Sequence, residues 1–206
     1  MRQSESIHGE WGARSKVVDN DGHLLRVFRG QHGALEHCGE TLLGSLSFGS
    51  LDAANGYALS PNDRRMSLQA PKVFPVYLDI QNPFADTPDD PFMDLSHYAR
   101  IFGLDETRRL AVKFEAHITN TNAWEDVSSD FETVKALADQ RPDLLMDLCM
   151  QLYPLLDDAE EVARLRAAGF DGAIHAGSGE TMLESEYRVF SPEQVKSIWD
   201  PLFVPR

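Results

Sequence analysis

Two acidic residues, Glu184 and Glu186, stand two positions apart in the stretch ETMLESEYRVF. The pattern from Glu184 onward predicts a β-strand, in which alternate side chains share a face, so both carboxylates should point the same way. Like charges on one face repel each other unless solvent or a ligand screens them. Carboxylate pairs can divide the work of breaking a glycosidic bond, one stabilising the sugar cation and the other handling the nucleophile. A solvated strand edge is the alternative interpretation.

Arg29 is a second candidate, because it ends the predicted strand LLRVFR and is followed by Gly30. A guanidinium fork matches the oxygens of a phosphate or a carboxylate, and a glycine lets another group approach the backbone. The pair is therefore a candidate anion site. A rim arginine in a surface ion pair is the alternative.

The serines of GSLSFGS form a third candidate. Ser45, Ser47 and Ser50 surround Phe48 at the end of a short predicted strand. Tyr57 follows on a predicted helix. The functional interpretation is that the hydroxyls face a ligand and Tyr57 offers a platform for a flat ring. The structural alternative is a strand that leads into a helix capped by Ser50, with Tyr57 half-buried in the core.

Composition narrows the class of protein. The 206 residues include 33 acidic and 19 basic side chains, and the formal charge of −14 argues against non-specific binding to nucleic acid or to an anionic membrane. Cys38 and Cys149 lack the spacing of a zinc site or a disulfide scaffold, which favours a reducing, cytoplasmic compartment. No stretch approaches the roughly 18 apolar residues of a membrane helix. The polar N-terminus is equally compatible with an export signal for a specialised secretion system.

The order of the elements predicts an α+β fold, with strands in both terminal thirds of the chain. Strands at 16–18 and 24–29 flank an Asp-Gly turn, and PKVFPVYLDIQNPF is the clearest strand, with Pro75 marking an edge or a bulge. Further strands are predicted in TLLGSLSFGS, FDGAIHAG and ESEYRVF. LDAANGYAL predicts a helix capped by Ser50, and SPEQVKSIW predicts a closing helix capped by Ser191.

The stretch from about residue 86 to residue 168 has a helical pattern. Residues 1–206 are predicted to form a single domain in which this stretch is a helical insertion. The helices expected within it are 94–102, 106–113, 130–139, 142–152 and 158–168.

In their order along the chain, Arg29, the serines, Tyr57 and the Glu-x-Glu motif resemble the Arg-Ser-Glu class of mono-ADP-ribosyltransferases, which includes bacterial toxins and effectors. AGSGETML lies where that class has its substrate-recognising turn-turn loop. A second set of segments is similar, in order, to the ADP-ribosyltransferase domain of polyvalent phage and mobile-element proteins. These segments are SKVVDNDGHLLRVFRG, SFGSLDAANGYA, VFPVYLDIQNPF, GFDGAI and SEYRVFSPEQVKSI.

The sequence departs from those families at two points. Members of the polyvalent family usually carry a histidine at the position of Arg29, so the assignment to the arginine-bearing class rests on Arg29 and the Glu-x-Glu motif. The Ser-Thr-Ser motif of that class is absent as such. Ser47 is favoured as the motif serine, with Ser50 second.

The resemblance implies a split mixed β-sheet core that binds NAD as the substrate, without a metal ion. Arg29 would pair with the NAD phosphates, and the backbone of Gly30 would hold the nicotinamide carboxamide. Tyr57 and Phe48 are the implied aromatic neighbours of the nicotinamide ring.

The same resemblance implies the catalytic roles. Ser47 or Ser50 would orient the catalytic glutamate. Glu186 would bind the nicotinamide ribose and stabilise positive charge as the glycosidic bond breaks, and Glu184 would position or deprotonate the acceptor.

The implied function is transfer of ADP-ribose from NAD to a protein side chain, with arginine favoured and a hydroxyl as the second option. A bacterial or phage effector or toxin, acting on a host-cell protein, is the implied setting. Three alternatives remain open at this point: an NAD glycohydrolase toxin, a non-catalytic binding module on the same fold, and an acid/base hydrolase that uses His175 with the glutamates.

Overall fold

The computed structural model describes residues 11–31, 43–59, 71–179 and 181–200. It has the predicted α+β class, with helices and mixed sheets. The chain forms two compact units. Met1–Asp90 and Leu156–Arg206 build the first, and Pro91–Leu155 builds the second.

The described residues of the first unit form two β-sheets, which gives the split mixed core that the family resemblance implied. The strands of this unit, numbered in chain order, are β1 (Val27–Gln31), β2 (Leu46–Phe48), β3 (Lys72–Leu78), β4 (Pro83–Thr87), β7 (Gly172–Ser178), β8 (Glu184–Val189) and β9 (Val195–Ser197). One sheet has the order β1-β3-β9 and the other has the order β2-β8-β7-β4. The β4–β7 pair is parallel and the other pairs are antiparallel.

Backbone bonds and a shared core join the two sheets. Phe28 of β1 exchanges two backbone hydrogen bonds of 2.9 Å with Gly49, the residue after β2. Because strand side chains alternate, each sheet sends one set of apolar side chains into the core. The buried members are Val17, Val27, Leu46, Phe48, Val76, Leu78, Ile80, Ile174 and Val189.

Two helices of this unit begin within one residue of the predicted positions. Helix α1 (Leu51–Leu59) starts after Ser50, whose Oγ accepts a hydrogen bond of 3.1 Å from the Ala53 amide. Near the C-terminus, Asp158 accepts from the Glu160 and Glu161 amides and begins helix α9 (Ala159–Ala167). The predicted helices at these two places are confirmed.

The second unit is mainly helical and also holds a two-stranded antiparallel sheet. Its strands are β5 (Phe92–Asp94) and β6 (Cys149–Gln151). No helix that the structure describes is long and apolar enough to span a membrane. The remaining helices are α2 (Leu95–Phe102), α3 (Leu104–Lys113), α4 (Glu115–Ile118), α5 (Asn122–Glu125), α6 (Val134–Gln140), α7 (Pro142–Leu145) and α8 (Tyr153–Leu156).

Two predicted helices are wrong, because non-local strand pairing replaces them. The closing helix is only a short 3-10 helix, Pro192–Gln194, before β9 pairs with β3. The Gln194 side chain accepts from the Phe190 and Ser191 amides and closes that turn. The helix predicted over 142–152 ends at Leu145, and β6 follows it.

The N-terminal strands also differ from prediction. The predicted pair 16–18 and 24–29 retains an isolated bridge between Val18 and Leu24, and β1 starts only at Val27. Arg29 therefore lies in the middle of β1 instead of at its end.

The predicted edge position of Pro75 is also wrong, because β3 is the central strand of its sheet. Phe28 lies opposite Pro75 but spends both backbone groups on Gly49, so this pair needs no hydrogen bond from the proline nitrogen. On the other side, paired residues of β3 begin at Val76. The missing N–H of Pro75 is thus tolerated inside a central strand.

Gly30 sets the distance between β1 and α1. A Cβ at this position would lie 2.2 Å from the carbonyl oxygen of Ala54, an atom of the α1 backbone. We predict that Gly30→Ala lowers the free energy of unfolding by roughly 1–3 kcal/mol, because the helix must move away from the strand. Urea denaturation of the purified protein measures this change.

Gly56→Ala is the matched control, since a Cβ there would meet no atom within 4 Å. Gly56 lies inside α1, where alanine is favoured over glycine, so this variant should gain about 0.5–1 kcal/mol. Equal effects of the two substitutions would contradict close packing at Gly30.

Candidate active site

Each glutamate of β8 accepts a hydrogen bond from a different serine, one within β2 and one just before α1. Ser47 Oγ donates to Glu186 Oε1 at 2.5 Å. Ser50 Oγ donates to Glu184 Oε2. The antiparallel pairing of β2 with β8 positions the first pair, and the N-cap of α1 positions the second.

The turn before β8 lies directly against Glu184. Gly179 has a φ of +76°, and a Cβ built on it would lie 2.3 Å from Glu184 Oε1. Met182, three residues later, also has a positive φ of 57°, although it is not a glycine. Met182 and Leu183 are exposed, so the two apolar side chains of this turn face solvent.

Arg29 reaches the same serine from the other sheet. Its NH1 atom donates to the Ser47 carbonyl at 2.9 Å, and its Nε donates to Gln31 Oε1 at 3.0 Å. Ser47 therefore contacts Arg29 through its backbone and Glu186 through its side chain. The predicted arginine, serine and glutamate, from three separate parts of the sequence, meet at one residue.

The backbone of Gly30 faces the edge of β1 that points away from β3. Phe28 directs both backbone groups away from β3 and toward Gly49. Because the direction alternates along an antiparallel strand, the N–H and C=O of Gly30 also point away from β3. This orientation allows the carboxamide contact that the sequence resemblance implied.

The two aromatic candidates differ in accessibility. Tyr57 is 42% exposed on α1, whereas Phe48 is 2% exposed and belongs to the core. Phe48 lies on the opposite face of β2 from the Ser47 side chain, and the Arg29 guanidinium lies 5.8 Å from its ring centroid. A buried ring of this kind offers no open face for a nicotinamide, so the geometry favours Tyr57 over Phe48.

Sequence reasoning missed Arg188, which is 6% exposed. Its Nε lies 2.6 Å from Glu186 Oε1, close enough for an ion pair but without hydrogen-bond alignment. Its NH1 donates to Asp157 Oδ1 at 2.7 Å and to Ser45 Oγ at 3.2 Å. A signal existed: Arg188 follows Glu186 by two positions on a strand, so the two side chains share a face.

Residues 19–203, nearly the whole chain, match the family described as ADP-ribosyltransferase in polyvalent proteins. The chain belongs to this family. The reaction of this family is ADP-ribosyl transfer, with NAD as the substrate. No curated protein and no solved structure matches the chain.

His175 lies opposite Glu186 on the neighbouring strand β7. It is 1% exposed, its Nδ1 lies 2.5 Å from the Ala176 carbonyl, and its Nε2 has no hydrogen-bond partner among the described residues. Burial lowers the pKa of His175 below its ordinary 6.5, and the negative charge of Glu186 partly opposes this shift. The ring is therefore neutral at pH 7.

We predict that the stability of this ADP-ribosyltransferase falls as the pH drops below about 6.5. The unfolded chain takes up a proton on His175 in that range, whereas the folded chain takes it up only at lower pH. Imidazole NMR should locate the pKa of His175, and urea unfolding from pH 7 to pH 5 should give the slope.

The slope should flatten in His175→Gln, which has no imidazole to titrate. A His175 resonance that titrates above pH 6.5 would contradict the assignment of a neutral buried ring.

Proposed function

We propose that this protein transfers ADP-ribose from NAD to a protein side chain, with Glu186 as the catalytic carboxylate. The observation that supports this most directly is the contact of Ser47 with both Arg29 and Glu186. One residue thereby links a group suited to the phosphates of NAD with a group suited to its ribose. The family match supplies the reaction class.

We propose that NAD lies along the edge of β1 and across the end of β2. Arg29 supplies a guanidinium, whose fork suits phosphate oxygens better than an ammonium does. The Gly30 backbone would bond the carboxamide, and Tyr57 would lie beside the nicotinamide ring. Phe48 lies beside the Arg29 guanidinium and does not stack on the nicotinamide ring.

In the proposed reaction, the bond between C1′ of the ribose and the nicotinamide nitrogen breaks, and its electron pair leaves with nicotinamide. The ribose becomes cationic, and the charge of Glu186 stabilises it. Glu186 is 7% exposed, so little water screens this interaction. Ser47 keeps the carboxylate in one orientation before NAD binds.

We assign the acceptor step to Glu184. It lies on the same face of β8 as Glu186 and accepts a hydrogen bond from Ser50. The acceptor atom would attack C1′ and transfer its proton to Glu184. Arginine is the favoured acceptor because a guanidinium is attracted to the carboxylate, and a hydroxyl is the alternative.

The setting of the reaction is part of the proposal. A protein of charge −14 favours an acceptor with a basic surface, and the cysteine content fits action in a reducing cytoplasm. An effector or toxin of bacterial or phage origin, acting on a host protein, fits these features. We propose that Pro91–Leu155, which falls within the predicted insertion 86–168 of a single domain, forms a docking surface for the acceptor.

We predict that Glu186→Gln reduces NAD turnover by two orders of magnitude or more, because the amide keeps the shape but removes the charge. Release of nicotinamide measures turnover. Glu193→Gln is the matched control, since Glu193 is an exposed carboxylate on the 3-10 helix after β8. Near-normal turnover in Glu186→Gln would refute the catalytic assignment.

Glu184→Gln should affect the two half-reactions differently. We expect transfer to protein to fall much more than slow hydrolysis of NAD, because water needs less positioning than a protein side chain. Two assays on the same preparation, nicotinamide release and labelled protein, give the ratio. Equal losses in both assays would contradict the division of roles.

The acceptor type can be tested with small molecules. We expect agmatine, which carries a guanidinium, to yield an ADP-ribosyl adduct that mass spectrometry detects in the presence of NAD. A serine amide offered at the same concentration should yield less. Release of free ADP-ribose with no adduct and no labelled lysate protein would identify the protein as an NAD glycohydrolase instead.

A further inference from the structure

Arg188 is a buried cation in contact with Glu186, and none of the roles proposed above uses it. The side chain of Arg188 is 7% exposed and that of Glu186 is 9% exposed, with Nε 2.6 Å from Oε1. Removing two charges from water is costly unless each finds partners. A buried ion pair at this position therefore needs a physical reason.

The other end of the guanidinium is anchored. Its NH1 donates to Asp157 Oδ1 at 2.7 Å and to Ser45 Oγ at 3.2 Å. Ser45 in turn donates to the Leu156 carbonyl at 2.6 Å, so its hydroxyl is fixed. A planar fork held at one end has little freedom at the other. The Nε of Arg188 is thus fixed beside Glu186.

We propose that Arg188 is a positioning residue, which fixes the carboxylate of Glu186 against Ser47 and keeps it charged. Asp157, through its ion pair with Arg188, partly offsets the positive charge that acts on Glu186. The proposal rests on the proposed function in one respect: it takes Glu186 as the catalytic carboxylate. Asp157, 34% exposed in its side chain, connects this buried cluster to solvent.

The charges around Glu186 determine the sign of each effect. A neighbouring cation favours the ionised carboxylate, and a neighbouring anion disfavours it. Burial keeps His175 neutral near pH 7, because it lowers the pKa of that ring. The groups that face Glu186 or its hydroxyl partner are Glu184 and Arg188 on β8, His175 on β7, Ser47 on β2, and Arg29 on β1.

Removal of Arg188 and removal of Asp157 should act in opposite directions. In Arg188→Met, the acid limb of the pH profile of kcat/KM should move to higher pH, since the cation beside the carboxylate is lost. In Asp157→Asn, this limb should move to lower pH by a smaller amount, because Arg188 keeps its full charge for Glu186. A purely structural role would instead make both variants less stable without this opposite pair of shifts.

The measurement is an NMR titration of the full chain labelled with 13C at the glutamate carboxyls. Glu186→Gln identifies the Glu186 resonance by its disappearance. The acid limb of the pH profile of kcat/KM, followed by nicotinamide release, should shift with the pKa in each variant. Opposite shifts in Arg188→Met and Asp157→Asn support the proposal. An unchanged pKa in Arg188→Met, or shifts in the same direction, would overturn it.

Two further variants complete the experiment. Arg188→Lys keeps the charge without the fork, so the acid limb should stay near that of the wild type while kcat falls. Arg141→Met, which removes an exposed arginine paired with Asp143, should change neither quantity. If Arg188→Met does not fold, Arg188→Lys and Asp157→Asn decide alone: a lowered pKa in Asp157→Asn supports the proposal, and an unchanged or raised one overturns it.

The outcome separates this proposal from the proposed function. Full NAD turnover in Glu186→Gln refutes the function, whereas the NMR titration still reports whether Arg188 controls the charge of Glu186. Loss of turnover in Glu186→Gln, together with no pKa change in Arg188→Met, keeps the function and refutes the role of Arg188.

Discussion

The hydrogen bond from the Ser47 hydroxyl to the Glu186 carboxylate is the contact on which the site depends. It requires β2 to pair with β8 in one register, since a shift by one residue would turn Ser47 to the core face. That register in turn places the Ser47 carbonyl within reach of Arg29. The two hydrogen bonds between Phe28 and Gly49 hold the two sheets close enough for this contact. The geometry of the site therefore depends on the register of β2 with β8 and on the contact between the two sheets.

Charge inside the site is balanced by neighbours instead of by water. Glu186 has a hydroxyl on one side and a guanidinium on the other, and the guanidinium has its own carboxylate in Asp157. Burying an ionised carboxylate without such partners is costly, and the role proposed for Glu186 requires its charge. Such networks rarely add stability compared with apolar packing. This network is consistent with the buried negative charge that the proposed mechanism places beside the substrate ribose.

The sequence predicted the parts of the molecule that local patterns encode. Alternation placed Glu184 and Glu186 on one face, and the cap at Ser50 placed the start of α1. The sequence prediction failed where a strand pairs with a strand that is distant in the chain. β9 forms because it pairs with the free edge of β3, and β6 forms because it pairs with β5. Arg188 was missed for the same reason, since its burial depends on Asp157 and Ser45. The family resemblance implied that Phe48 lies beside the nicotinamide ring, but its burial depends on how the two sheets pack, which a local strand pattern does not specify.

The sequence separation of the central contact has a consequence for how the protein matures. Ser47 and Glu186 are 139 positions apart. A chain that is being synthesised exposes β2 long before β8 has emerged, and non-local strand pairing is slow compared with helix formation. Until β8 emerges, the serine has no carboxylate to orient. The proposed catalytic pair therefore cannot assemble until synthesis has passed β8.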